Sequence, residues 1–95
     1  MASMINMSLP QLAGTWVSFE SQSTMWFNSD QSRIVITRNG HRIVSEETAF
    51  SYNEEDNTCY LSKSVILHQI FEEDSIHIRV KTESGTLGIN LDRRK

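Results

Sequence analysis

The stretch RIVITRNGHRIVSE, Arg33 to Glu46, carries the clearest structural pattern in this sequence. Two runs rich in Ile and Val flank Asn39-Gly40, and Asn-Gly supplies the two positive φ angles of a type I′ hairpin turn. This turn places Ile36 opposite Ile43 and pairs Arg33 with Glu46, because a two-residue turn fixes the register of a hairpin. The pattern predicts an inner face with Ile34, Ile36 and Ile43, and an outer face that includes Val35 and Val44.

The C-terminal part of the chain predicts a second hairpin. Apolar residues alternate with polar ones on both sides of Glu83-Ser84. A turn at these two residues aligns three apolar cross-strand pairs, and such pairs stabilise a sheet. The predicted pairs are Val80 with Leu87, Ile78 with Ile89, and Ile76 with Leu91.

Period-two alternation runs through most of the chain, and no segment has the 3.6-residue period of a helix. It predicts about eight short strands at intervals of roughly 8–12 residues, the spacing of an all-β domain. The predicted strands are Gly14–Glu20, Ser23–Asn28, Arg33–Arg38, His41–Tyr52, Thr58–Leu61, Val65–Phe71, Ser75–Lys81 and Thr86–Asp92. The connections are too short for crossover helices, so we expect an antiparallel meander that curls into a compact barrel.

The strand Val65–Phe71 has two possible inner faces. A four-residue loop after it places Val65, Leu67, Gln69 and Phe71 inside, whereas a three-residue loop places Ile66, His68 and Ile70 inside. We favour the first arrangement because it leaves His68 in water.

Length and charge restrict the class of protein. The 95 residues predict a single domain, residues 1–95, with a flexible N-terminal tail over residues 1–8. A net charge of −3 disfavours nucleic acid as a partner, since phosphates require a basic surface. The sequence has no apolar run that spans a membrane and no leader pattern. We therefore expect a cytoplasmic protein, or a periplasmic or secreted one if a leader has been removed.

The N-terminal segment LAGTW, Leu12 to Trp16, resembles the start of calycin-type barrels. Lipocalins and small bacterial protease inhibitors begin their first strand with a similar Gly-x-Trp pattern. The resemblance implies a lipocalin-like barrel in which Trp16 packs across one end under a basic residue, Arg93 or Arg94. It also implies a protein-binding function, with a protease as one partner class. The segment Glu83 to Gly88 lies where the staphostatins, inhibitors of cysteine proteases, carry a glycine-containing binding loop.

Three parts of the sequence are candidate partner-binding sites. Trp26 lies between Met25 and Phe27, so it is exposed if its neighbours are core residues, and exposed Trp is frequent at binding surfaces. An acidic turn would attract a basic partner, and a segment with small residues offers its backbone. The candidates are Trp26, then Glu54, Glu55 and Asp56, then Gly85, Thr86, Leu87 and Gly88.

An alternative function is a carrier of a small apolar ligand, with Trp16 and Phe27 lining the barrel mouth. His68 and His77 lie on neighbouring predicted strands, but a metal site needs further ligands that the sequence does not place nearby. Cys59 has no second cysteine to pair with, and its strand position predicts a buried thiol. The sequence contains no constellation for catalysis, so we expect no enzyme activity, no cofactor and no bound metal.

Overall fold

The computed structural model describes residues 11–56, 58–72 and 74–94, which form nine strands. The strands are β1 (Gly14–Ser18), β2 (Ser23–Phe27), β3 (Arg33–Arg38), β4 (His41–Glu47), β5 (Ser51–Asn53), β6 (Thr58–Ser62), β7 (Val65–Glu72), β8 (Ser75–Thr82) and β9 (Gly85–Arg93). The described residues contain no helix with the length and apolar character needed to cross a bilayer. The predicted tail over residues 1–8 lies outside the described residues.

The strands form one antiparallel sheet in the order β4-β3-β2-β1-β9-β8-β7-β6-β5. The sheet curls into a half-barrel, which confirms the all-β antiparallel meander. Two details differ from the prediction. The predicted strand His41–Tyr52 is interrupted and forms β4 and β5, and these two strands are the free edges of an open sheet. We call the gap between these edges the seam.

The inner face of the half-barrel is filled by packed side chains. Trp16 and Phe27 are among the largest fully buried residues. The core also contains Leu12, Met25, Ile34, Ile36, Val44, Cys59, Leu61, Val65, Leu67, Ile76, Ile78, Val80, Ile89 and Leu91. These residues come from nearly every strand, so the curled sheet has a single apolar interior.

The last hairpin has the predicted register. Val80 lies opposite Leu87, Ile78 opposite Ile89, and Ile76 opposite Leu91. All of these residues except Leu87 are fully buried, and Leu87 packs partly buried against the core.

The β3–β4 hairpin has the predicted turn but a different register. Asn39 and Gly40 have φ angles of 54° and 81°, as a type I′ turn requires. Arg38 pairs with His41, but the register then shifts and Ile36 lies opposite Val44 rather than Ile43. The shift is a β-bulge at Ile43. Ile43 is 37% exposed and Val44 is buried in the core, so the predictions that Ile43 is a core residue and that Val44 lies on the outer face are wrong.

The bulge also displaces the predicted Arg33–Glu46 pair. Arg33 lies opposite Glu47, and its Nη2 donates a hydrogen bond to Ser45 Oγ at 2.9 Å. The carboxylate of Glu46 crosses the seam instead. Its Oε1 accepts from Ser62 Oγ at 2.5 Å and from the Ser64 backbone N–H at 3.0 Å. Glu46 therefore joins the β4 edge to the turn between β6 and β7.

Neither predicted inner face describes all of β7. Val65 and Leu67 point into the core, as the favoured arrangement requires. The register with β8 then shifts after Leu67, and beyond the shift Ile70 packs against the core while Phe71 is 53% exposed. A bulge thus reverses the inner face halfway along the strand.

Arg93 covers Trp16 at the end of the sheet where β1 begins. The guanidinium carbon lies 4.2 Å from the centroid of the Trp16 ring. Arg93 Nη1 donates to the carbonyl of Ala13 at 3.0 Å, Nη2 donates to the carbonyl of Gln11, and Nε pairs with Asp74 at 3.0 Å. Of the two arginines considered for this position, Arg93 therefore covers Trp16.

Candidate binding surfaces

The outer side of β1, β2 and β3 carries an apolar patch around Trp26. Thr15, Trp26 and Val35 lie directly opposite one another across the three strands. Met25 and Phe27, which flank Trp26, are fully buried, and Trp26 itself is 40% exposed, as predicted. The neighbouring outward side chains are half-buried. We call this surface the Trp26 face: Thr15, Val17, Thr24, Trp26, Val35 and Thr37.

The Trp26 side chain is free to contact a partner. Within the described residues, it takes part in no hydrogen bond, ring contact or cation–π contact. Its strand is paired on both sides, so the backbone that carries it is held by the sheet. Exposed charged residues border the patch, with Arg33 and Arg42 on one side and Asp92 opposite Val17 on the other. An apolar centre with a polar rim is the usual composition of a protein interface.

The acidic turn lies between β5 and β6. Glu54, Glu55 and Asp56 are all exposed. The hydrogen bonds within the turn are local: Glu55 N–H donates to Asn53 Oδ1 at 3.0 Å, and Asn53 Nδ2 donates to Asp56 Oδ2 at 3.2 Å. The turn joins strands at the opposite end of the sheet order from β2. The sheet therefore does not bring this turn and Trp26 together through neighbouring strands.

The segment Gly85 to Gly88 forms the first half of β9 and is paired with β8 along its length. Thr86 and Gly88 are exposed, and Leu87 is half-buried. Gly88 lies against His77, and a Cβ at this position would be 3.2 Å from the imidazole ring. The glycine therefore has a packing role, because a larger residue would displace that ring.

Trp16 and Phe27, the candidate ligand-lining residues, are buried in the core. Trp16 Nε1 donates to the carbonyl of Leu12 at 3.2 Å, so its polar atom has a partner within the chain. The ring of Phe27 stacks with that of Phe50 at 6.2 Å between centroids. Neither residue lines the two clefts described below.

His68 and His77 lie together on the outer face of β7 and β8, as predicted, with 5.3 Å between ring centroids. Arg79 Nη2 donates to His68 Nε2 at 3.2 Å, and His77 Nδ1 donates to Asn90 Oδ1 at 2.7 Å. The pKa of His68 is lowered by partial burial and by the nearby side chains of Arg79 and His77. The guanidinium disfavours a cation beside it, and the described residues contain no group of three or more His, Cys, Asp or Glu side chains arranged for a metal.

Cys59 lies in β6 and is buried in the core, as its strand position predicts. Burial raises the pKa of its thiol. A buried thiol with a raised pKa is a weak nucleophile, because the reactive form is the thiolate.

Two surface clefts were not found by sequence reasoning. One lies between the β3–β4 and β8–β9 hairpins and has a volume of about 370 Å³. We call it the mouth cleft; its lining residues are Arg38, Ile43, Thr82, Ser84, Gly85, Thr86 and Leu87. The other lies at the seam, has a volume of about 310 Å³, and is lined by Glu46, Glu47, Thr48, Ala49 and Lys63. The turn predicts that Arg38 pairs with His41. The sequence does not predict that Arg38 also lines a cleft.

No family model, curated protein or solved structure matches this chain.

Proposed function

We propose that this protein is a non-catalytic binding domain that contacts another protein through the Trp26 face. The supporting observation is the 40% exposed Trp26 in the middle of a sheet face whose other apolar residues are only half-buried. A large aromatic side chain on a rigid backbone gives much contact area at a small entropic cost. Among the described residues, no three His, Cys, Asp or Glu side chains are arranged for a metal ion, and Cys59 is buried.

The class of partner that we propose is a protease, which follows from the resemblance to small inhibitor barrels. The acidic turn of Glu54, Glu55 and Asp56 would attract a partner with a basic surface. The backbone of Gly85 to Gly88 is paired with β8, so in this proposal it contributes a rigid strand rather than a mobile loop.

Affinity capture with matched variants tests this proposal. The wild type, Trp26→Thr and the control Phe19→Ser are immobilised separately, and each is incubated with lysate from the cells that produce the protein. Phe19 is 90% exposed in the β1–β2 turn, so the control also removes an exposed aromatic ring. We expect the wild type and Phe19→Ser to retain the same partner and Trp26→Thr to lose it. Equal retention by Trp26→Thr would exclude the Trp26 face as the contact surface.

Fluorescence quenching with the captured partner provides a second measurement. Trp16 is fully buried, so iodide should quench mainly the emission of Trp26. Binding through the Trp26 face should protect this emission from iodide. Unchanged quenching in a saturated complex would contradict the proposal even if a partner binds elsewhere. Inhibition assays against cysteine proteases and metalloproteases then test the partner class separately.

A further inference from the structure

The mouth cleft has apolar walls. Ile43, which lies at the β-bulge and is 37% exposed, contributes one side. Leu87 contributes the other side and packs on the core beneath. The cleft volume of about 370 Å³ lies within the range of small-molecule sites, roughly 300–1,000 Å³.

Within the described part of the chain, Arg38 is the only charged residue that lines the mouth cleft. Among the described residues, its Nε is buried and has no hydrogen-bond partner, and no carboxylate forms an ion pair with it. A buried donor without an acceptor destabilises the fold, because it has lost its hydrogen bonds to water. The Nη atoms of Arg38 also have no hydrogen-bond partner among the described residues and, unlike Nε, they are not buried, so they can donate to an anion in the cleft.

Hydroxyl groups surround the entrance of the cleft. Thr82 Oγ1 already donates to the carbonyl of Gly85 at 2.8 Å. The side chains of Ser84 and Thr86 form no hydrogen bond within the described residues, and both are exposed. They can donate to the same anion as Arg38.

We propose that the mouth cleft binds a small monocarboxylate with a short apolar chain. The planar guanidinium of Arg38 matches the two oxygens of a carboxylate, and charge-assisted bonds of this kind are strong. The apolar chain packs between Ile43 and Leu87, which distinguishes this ligand from a free inorganic anion. A single arginine in a chain with a net charge of −3 favours one negative charge over several. This site is separate from the Trp26 face and does not depend on the proposed partner.

Titration of the full chain with octanoate tests the ligand class. Amide shifts in NMR spectra are followed with octanoate, with octan-1-ol, which lacks the charge, and with acetate, which lacks the chain. We expect saturable shifts at Gly85, Thr86 and Ile43 with octanoate, and at least tenfold weaker binding of the other two compounds. Equal binding of octan-1-ol, or no saturable shift with octanoate, would overturn the proposal.

A peptide terminus is the other source of the same chemistry. A short peptide that ends in leucine with a free carboxylate is therefore titrated beside its amide. Binding of the free peptide without binding of octanoate would overturn the assignment to a small free acid.

The variant Arg38→Gln tests the role of the guanidinium, and Arg42→Gln is the matched control. Arg42 is an exposed arginine of the same hairpin and does not line the cleft. We expect Arg38→Gln to weaken octanoate binding at least tenfold and Arg42→Gln to leave it unchanged. Arg38→Lys, which keeps the charge without the planar pair of donors, should retain part of the affinity. Unchanged binding in Arg38→Gln would refute the site, whereas Trp26→Thr should bind octanoate like the wild type whatever its effect on a protein partner.

Discussion

At the scale of single residues, Arg93 links three separate parts of the chain. Its guanidinium stacks on the Trp16 ring, bonds to the carbonyls of Gln11 and Ala13, and pairs with Asp74. The ion pair is partly exposed and contributes little by itself. The stacking on the fully buried Trp16 ring and the charge-assisted bonds to backbone carbonyls are the larger contributions.

We expect Arg93→Gln to lower the free energy of unfolding by about 2–4 kcal/mol, since it removes the cation–π contact and the charge-assisted bonds. Urea denaturation followed by Trp fluorescence measures the loss. Arg94→Gln is the control, because Arg94 is the exposed neighbour and, among the described residues, makes only a backbone bond, to Thr15. Equal losses in both variants would show that the effect is one of charge alone.

The pKa of His68 offers a second prediction at this scale. Partial burial, Arg79 and His77 lower it, so the folded protein binds this proton more weakly than the unfolded chain. The contribution to stability is present above the unfolded value of about 6.5 and declines as the pH falls below it. We expect Arg79→Gln to raise the pKa of His68, as followed by NMR titration of its ring protons. Arg42→Gln should leave this pKa unchanged. If the pKa of His68 is the same in Arg79→Gln as in the wild type, the Arg79 charge is not one of the causes of its lowering.

At the scale of strands and hairpins, the sequence predicts register well where only one face is apolar. In β8 and β9 every second residue is polar, so a shift by one residue would bury charges, and the predicted pairs are confirmed. In β4 the adjacent Ile43 and Val44 suit the core equally well, so alternation does not decide between them. A bulge then costs little, and the structure places Val44 inside. The run Val65 to Leu67 has the same ambiguity on β7.

Substitution at the bulge tests this register. We expect Val44→Ala to cost about 2 kcal/mol of unfolding free energy, because Val44 is buried. Ile43→Ala removes a larger side chain but should cost less than about 1 kcal/mol, since Ile43 is on the surface. Thermal and urea denaturation compare the two variants. The opposite ranking would support the hairpin register without the bulge.

For a related reason, the sequence predicts the exposure of Trp26 but not the mouth cleft or the Glu46 bridge. The exposure of Trp26 follows from its buried neighbours Met25 and Phe27, which strand alternation alone indicates. The mouth cleft and the Glu46 bridge join residues that are distant in sequence, and their positions depend on how the sheet curls. Local patterns carry no information about that curvature.

At the scale of the whole molecule, hydrogen bonds across the seam hold the open side of the half-barrel. Glu46 accepts bonds from Ser62 and Ser64, and the Ala49 N–H donates to the carbonyl of Leu61 at 3.0 Å. Ser62 is fully buried, so its hydroxyl depends on the Glu46 carboxylate. Glu46 therefore accepts three of the hydrogen bonds that cross the seam.

We expect Glu46→Ala to destabilise the protein by about 2–4 kcal/mol, because it removes charge-assisted bonds and leaves a buried hydroxyl without its acceptor. Hydrogen exchange should become faster at the edge strands β4 and β5 before other strands are affected. Glu47→Ala, at the exposed neighbouring position, should change stability by less than about 0.5 kcal/mol. Similar exchange in the two variants would show that the seam does not depend on Glu46.

The pairing of β1 with β9 has a consequence for synthesis of the protein on the ribosome. Of the nine strands, β1 leaves the exit tunnel first, yet one of its two neighbours in the sheet is β9. Trp16 therefore stays uncovered until Arg93 has been synthesised. The hairpins β1–β2 and β3–β4 can form early, but the two halves of the sheet join only after β9 has emerged. A circular permutant that links the two ends and opens the chain at residues 48–50 would emerge in the spatial order of the strands, from β5 through β9 and β1 to β4. Each strand after β5 would then be synthesised directly after a strand with which it pairs, and folding during translation would proceed from one edge of the sheet to the other.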